Sequence, residues 1–354
     1  MQASYDYLNA RAKALKAKLF PADTLRQLSR SDDLAALVEA LAAAPGYATD
    51  IRIGDLPETA AGCEAALLRG LSSTLRRLWK QADAEVRRWL EVWLAPWDLA
   101  NLHAVVRAWR NQIPPAGLVP WWNATGTLTL DTLNQLAASD TVDAMVRRLA
   151  SKGGLWAEIA LILRRVASEP ERHVEDALVQ GWAQWAVRSI EIGGADADTF
   201  GAFFACEIDG RNVRTALRLS RDGGGASAPF LPGGARLTRA DWLRVAGQTT
   251  LEEALALLAT TPFAEATAGR PVDREIKLEE IDRGIRAFVL DRFVELYRRS
   301  DPLGIGVLLH FVKLKANEID NLRLIAYGLE RRLPGGLIEE QLTLAQDQGH
   351  IPTR

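Results

Sequence analysis

Apolar residues recur along the chain at steps of three and four. Leu67, Leu71, Leu75, Leu78, Ala82 and Val86 form one stripe, continued by Trp89 or Leu90 and Trp93. Val174, Leu178, Trp182, Trp185 and Ser189 or Ile190 form a second. Ile281, Ile285, Phe288 or Val289, Phe293 and Leu296 or Tyr297 form a third. Such spacing keeps one face of an α-helix apolar. The period-two alternation of a strand is hinted at only in TGTLTL at 125–130. Ala, Leu, Arg and Glu are frequent and favour helix, so pattern and propensity agree on an all-α fold. The stripes predict long helices over about 58–95, 168–193 and 274–300.

Pro and Gly gather at 45–57, 114–126, 151–154, 193–201, 223–234, 262–271 and 333–336, which mark connections. Gly223, Gly224 and Gly225 have neither the preceding strand nor the following Lys-Ser/Thr of a phosphate loop and read as a flexible connection.

A short pattern occurs four times: an acidic residue, two residues, Asn, one residue, then a basic residue or His. The copies are Asp6-Asn9-Arg11, Asp98-Asn101-His103, Asp209-Asn212-Arg214 and Glu318-Asn321-Arg323. Their asparagines stand 92, 111 and 109 residues apart, and each copy is expected to open a helix. The segments 25–47, 130–150 and 238–259 each read as a small helical hairpin, with Ser31, Ser139 and Thr249 or Thr250 as N-caps. A long helix follows each hairpin. The expected organisation is three pseudo-symmetric helical units, 1–96, 97–206 and 207–300, with 301–354 closing the bundle. Asp or Glu and the Asn three residues on share a helix face. Asn is a mediocre helix former, so its repeated use needs a reason. A catalytic site is needed once, whereas a packing bond is needed in every unit. The motif residues are therefore read as structural.

Composition narrows the chemistry further. The 354 residues carry 43 basic and 45 acidic side chains, a net charge of −2 that gives no electrostatic case for nucleic acid. Cys63 and Cys206 lie among apolar neighbours and read as inert core thiols. His103, His173, His310 and His350 share no ligand spacing, and neither CxxC nor HExxH occurs, so no metal or cofactor is expected. The paired carboxylates Asp32-Asp33, Glu252-Glu253, Glu279-Glu280 and Glu339-Glu340 read as groups near helix starts, favoured by the helix dipole. No GxSxG occurs, and no catalytic residue is assigned. The longest apolar run, Leu303 to Val312, is too short to span a membrane, and the first residues lack a signal-peptide core, so a soluble intracellular chain is expected. Most of the 11 tryptophans read as core. Trp121 and Trp122 sit in a Pro-rich connection and read as a patch facing a partner.

The stretch DPLGIGVLLHFVKLKANEIDNLRLIAYG at 301–328 closely resembles the C-terminal signature of the C subunit of archaeal and bacterial A/V-type ATPases, known as the d subunit in the eukaryotic vacuolar enzyme. Lys315, Glu318, Asn321, Leu322, Arg323 and Ile325 match the family pattern, and Phe311 stands where the family usually has Tyr. YLNARAKALKAKLF and the Leu-rich hairpin ending at Tyr47 resemble the family's amino-terminal unit. The resemblance implies a non-catalytic rotor part: a funnel of three helical units that sits on the membrane rotor ring and receives the tip of the central axle. It implies coupling of ATP hydrolysis or synthesis to proton or sodium transport. Axle subunits and ring proteolipids would be the partners, and the place a peripheral one on the cytoplasmic face. Two other classes compete. A helical-repeat adaptor unrelated to rotary motors needs only the repeat. A helical hydrolase or prenyl-transfer enzyme needs a DDxxD motif, and Asp32-Asp33 has no third Asp after it.

Overall fold

The computed structural model describes residues 5–53, 56–118, 122–194, 196–224, 228–267 and 278–345. Among them every regular element is helical, and TGTLTL forms turns rather than a strand. The chain opens with α1 (Asp6–Lys16), a hairpin of α2 (Ala22–Ser29) and α3 (Leu34–Ala43), the single turn α4 (Ala48–Ile51) and the long α5 (Ala60–Gln81). Next come α6 (Ala84–Arg110), a hairpin of α7 (Leu130–Ala137) and α8 (Val142–Ala150), then α9 (Gly154–Val166) and α10 (Glu171–Ile192). A third series comprises α11 (Ala197–Arg221), the hairpin α12 (Arg239–Ala246) and α13 (Leu251–Leu258), the short α14 (Ala264–Thr267) and α15 (Leu278–Arg299). The chain ends in α16 (Gly306–Glu330) and α17 (Gly335–Glu340).

Several expectations need correction. The stripe from Leu67 to Trp93 is two helices, because Ala82 is extended and Asp83 caps a new helix by accepting from Val86 N–H at 2.9 Å. Three of the four motifs lie mid-helix, in α6, α11 and α16, and only Asp6 opens one. The divisions at 96/97 and 206/207 consequently fall inside α6 and α11. The caps of α3 and α8 are Asp33 and Thr141 rather than Ser31 and Ser139. A cap must be the extended residue immediately before the helix, which Asp33 is at φ −155°. Ser139 instead donates to Gln135 C=O at 3.2 Å and accepts from Arg148 at 2.6 Å. Thr250 does cap α13. Glu339 and Glu340 end α17 rather than starting it, and Glu339 pairs with Arg30.

Pro96 inside α6 has no N–H for the carbonyl of Val92. The indole N–H of Trp182 on α10 takes that carbonyl at 2.7 Å, so one tryptophan repairs the helix and joins it to its neighbour. Around this point Trp89 stacks on Phe200 at 4.6 Å, Trp93 meets Phe293 at 5.7 Å, and Trp182 meets Phe204 at 5.4 Å. Trp89, Trp93 and Trp182 thus serve an aromatic core shared by α6, α10, α11 and α15, where each ring adds large apolar burial and a specific geometry. Cys63 is buried in the core and Cys206 half-buried against it; burial pushes their thiols up to about 11 and about 12, so both stay protonated.

His310 on α16 is 2% exposed, lies flat on Tyr297 at 4.1 Å, and neither ring nitrogen has a hydrogen-bond partner among the described residues. Burial first, then the charges of Lys16 and Arg298, push it down to about 3. Between pH 6.5 and 3 the unfolded chain binds a proton that the folded chain refuses, so stability falls as pH falls through that window. At about 1.4 kcal/mol per pKa unit, the cost at pH 4 is on the order of 3 kcal/mol. His310→Phe keeps the stacking and removes both the titration and the unsatisfied nitrogens. Its urea midpoint is expected to be no lower than wild type at pH 7 and higher at pH 4. Parallel acid profiles for the two proteins would contradict this.

Candidate functional site

The motif residues of α6, α11 and α16 repeat one set of bonds. Asn101 donates to the carbonyl of Asn123 at 2.7 Å and accepts from the same residue's N–H at 3.1 Å. Asn212 holds Leu231 through the same two bonds, each 2.9 Å. Asn321 holds Thr343 at 2.8 and 2.9 Å. Each side-chain amide thus pins a stretch of non-helical chain to a helix, which a primary amide does well because it offers donor and acceptor together.

The acidic residues hold the next stretch of chain. Asp98 accepts from the N–H groups of Thr127 and Leu128, two residues ahead of α7. Asp209 accepts from those of Ala235, Arg236 and Leu237, ahead of α12. Burial raises both carboxyls, Asp98 up to about 7, against the lowering effect of these donors. Gly126 and Gly234 make room for this approach, since a Cβ would stand 2.1 Å from Asp98 Cγ or 2.2 Å from Asp209 Oδ1. Glu318 of α16 does the same work at the other end of the sequence. It accepts from Phe20 N–H, two residues ahead of α2, at 3.2 Å, and from the hydroxyl of Tyr47. The carboxy-terminal motif helix therefore serves the amino-terminal hairpin. The basic positions follow suit: His103 approaches Glu171 at 3.6 Å, Arg214 approaches Asp282 at 3.8 Å, and Arg323 pairs with Glu64. All three acids lie at the beginning of a long helix, α10, α15 and α5 respectively.

The first copy behaves differently. Asp6 is exposed, Arg11 reaches only Tyr7 on its own helix at 3.1 Å, and Asn9 Oδ1 accepts nothing among the described residues. Its helix α1 ties three corners together instead. Tyr5 donates to Asp196 between α10 and α11, Asn9 to the carbonyl of Gly304 between α15 and α16 at 3.1 Å, and Gln81 beside the α5–α6 corner donates to Tyr7 at 3.4 Å.

α6, α11 and α16 also converge on a cavity of about 380 Å³. The residues five and one before each motif Asn line it: Pro96 and Ala100, Glu207 and Arg211, Ala316 and Asp320. At about 100° per residue these positions lie roughly 120° from the asparagine, so each helix turns one face to its clamp and another to the cavity. Trp122 is half-buried and donates to Asn134 at 2.8 Å, while Trp121 lies outside the described residues. The sequence reading missed the lining charges Glu207, Arg211 and Asp320. The signal available was that Arg211 and Asp320 each stand one residue before a motif Asn. No cluster of metal-binding side chains occurs among the described residues, and no helix among them is long and apolar enough to cross a membrane.

A sequence model of the ATP synthase (C/AC39) subunit family matches residues 8–341. The chain belongs to that family. It is 27% identical over 351 residues to the C subunit of the V-type ATP synthase of Thermus thermophilus, covering 97% of this chain and 99% of that protein. It is also 26% identical over 340 residues to the C subunit of the A-type ATP synthase of Methanocaldococcus jannaschii, covering 92% and 83%. Against the corresponding A-type protein of Halorubrum lacusprofundi the identity is 23% over 353 residues, with 96% and 97% covered. Membership in an ATP synthase subunit family over nearly the whole chain leaves no place for a stand-alone hydrolase or an unrelated adaptor.

Proposed function

We propose that the chain is the non-catalytic rotor coupler of a V/A-type ATPase, linking the axle of the ATP-hydrolysing head to the membrane rotor ring. The observation that carries this reading is the convergence of three equivalently clamped helices on one open cavity. A torque-bearing socket needs a stiff wall around an opening, and no nucleophile. The set of bonds repeated by α6, α11 and α16 supports three pseudo-symmetric units arranged as a funnel. In this reading α16 supplies the motif helix of the first unit, so the two ends of the chain close the ring. The motif residues hold that wall and do no chemistry. The cavity is the seat of the axle tip, one end of the funnel rests on the proteolipid ring, and the chain is held peripherally at the cytoplasmic face. Torque passing through it would couple ATP turnover to proton or sodium movement.

Removing the chain from the assembled complex tests this. ATP hydrolysis by the head is expected to persist while ion pumping in membrane vesicles falls to background. Full pumping without the chain would overturn the reading.

A further inference from the structure

The charges around the cavity are unequal. Arg211, Arg214, Arg286 and Lys313 line it against the carboxylates Glu207 and Asp320. Glu207 stands among three of those cations, 2.6 Å from Lys313 Nζ and 3.2 Å from Arg211 Nε, with Arg214 further along α11. Burial pushes its carboxyl up, yet Lys313, Arg211 and Arg214 together hold it well below the usual carboxylate range. Arg214 and Arg286 share one more acid, Asp282, at 3.8 and 3.4 Å. Among the described residues, four cations therefore meet three carboxylates, and Asp320 is itself engaged by Arg323 at 3.2 Å. Opposite them Pro96 and Trp97, half-buried, and Ala100, exposed, form an apolar wall from α6.

We propose that the cavity takes the end of a partner helix that carries a carboxylate beside apolar side chains. The carboxylate meets Arg214 and Lys313, completing the charge balance, and the apolar side chains pack on Trp97, Pro96 and Ala100. Charge complementarity selects this occupant: a basic tip would face the surplus positive charge, and a wholly apolar one would cover half-buried cations without balancing that charge. The inference rests on the reading that the axle tip enters here, and it adds the chemistry of that tip.

Titrating the full chain with the purified axle subunits of the same complex, at low and high salt, tests it. Wild-type affinity is expected to fall with salt. Arg214→Gln is expected to weaken binding roughly tenfold and to flatten that dependence. Asp320→Asn, which removes a competing carboxylate, is expected to tighten binding about threefold, a gain that a damaged fold would not produce. Thermal melting of each variant checks folding independently. Axle binding of equal strength in wild type and both variants would overturn the charge proposal and leave the coupler reading standing. Absence of any axle binding by the wild type would overturn both. Self-association of the chain without axle, abolished by Arg214→Gln, would assign the cavity to a second copy and overturn the proposal.

Discussion

Asn212→Ala is expected to lower the free energy of unfolding by about 3 kcal/mol, read as a lower urea midpoint at unchanged slope. Asn212 is fully buried, and its amide holds both the carbonyl and the N–H of Leu231 at 2.9 Å. Truncation leaves two buried backbone groups without partners, each costing roughly 1–3 kcal/mol, and opens a small void beside them. The indole of Trp242 still donates to the backbone carbonyl of residue 212 at 3.0 Å, so the loss is confined to the clamp. Asn9→Ala is the internal control. Its amide makes one bond, to Gly304, and the expected loss is about 1 kcal/mol or less. Equal midpoints for Asn212→Ala and wild type would remove the clamp as a structural element.

The motif spacing made the clamped helices visible in the sequence, but not which copies are equivalent. Asp6-Asn9-Arg11 matches the pattern as well as the others and makes none of the shared bonds: Asn9 donates to the carbonyl of Gly304 and Arg11 to the hydroxyl of Tyr7. A three-letter spacing specifies a helix face. It cannot specify what the face meets, because Thr343 and Phe20 reach α16 from opposite ends of the chain. Helix type was legible because apolar periodicity is a local property, as in Ile281–Phe293 of α15. Helix ends were less so: the stripe through Ala82 stays in phase across a two-residue break, because the turn at Asp83 preserves the buried side. The cavity was the least legible feature. Its lining positions are Glu207 and Arg211 in α11, Ala316 and Asp320 in α16, and Pro96 and Ala100 in α6, so no single residue type marks the face.

The largest loss is expected at Glu318, where a charge is buried with few partners. Glu318 is 1% exposed, accepts from Phe20 N–H and the Tyr47 hydroxyl, and stands 3.9 Å from the ammonium of Lys315. Lys315 is itself buried, 3.7 Å above the ring of Tyr47, and burial pushes it down to about 8 against the opposing pull of Glu318 and Asp50. Glu318→Gln can still accept from Phe20 N–H through its amide oxygen and donate from its amide nitrogen to the Tyr47 hydroxyl, but it leaves the ammonium with only the more distant Asp50. Breaking a buried pair in this way costs about 3–5 kcal/mol at pH 7. The loss should shrink as pH rises. A lysine whose folded pKa is depressed is penalised in its charged form, and the penalty disappears as it deprotonates between its folded value and 10.5. Adding Lys315→Met to Glu318→Gln removes the stranded charge and keeps a flexible apolar side chain over the tyrosine. The double variant should regain most of the lost stability, since apolar replacement of a whole buried pair is often neutral. A double variant as unstable as Glu318→Gln alone would show that the hydrogen bonds to Phe20 and Tyr47, rather than the charge pair, bind the amino-terminal hairpin to α16.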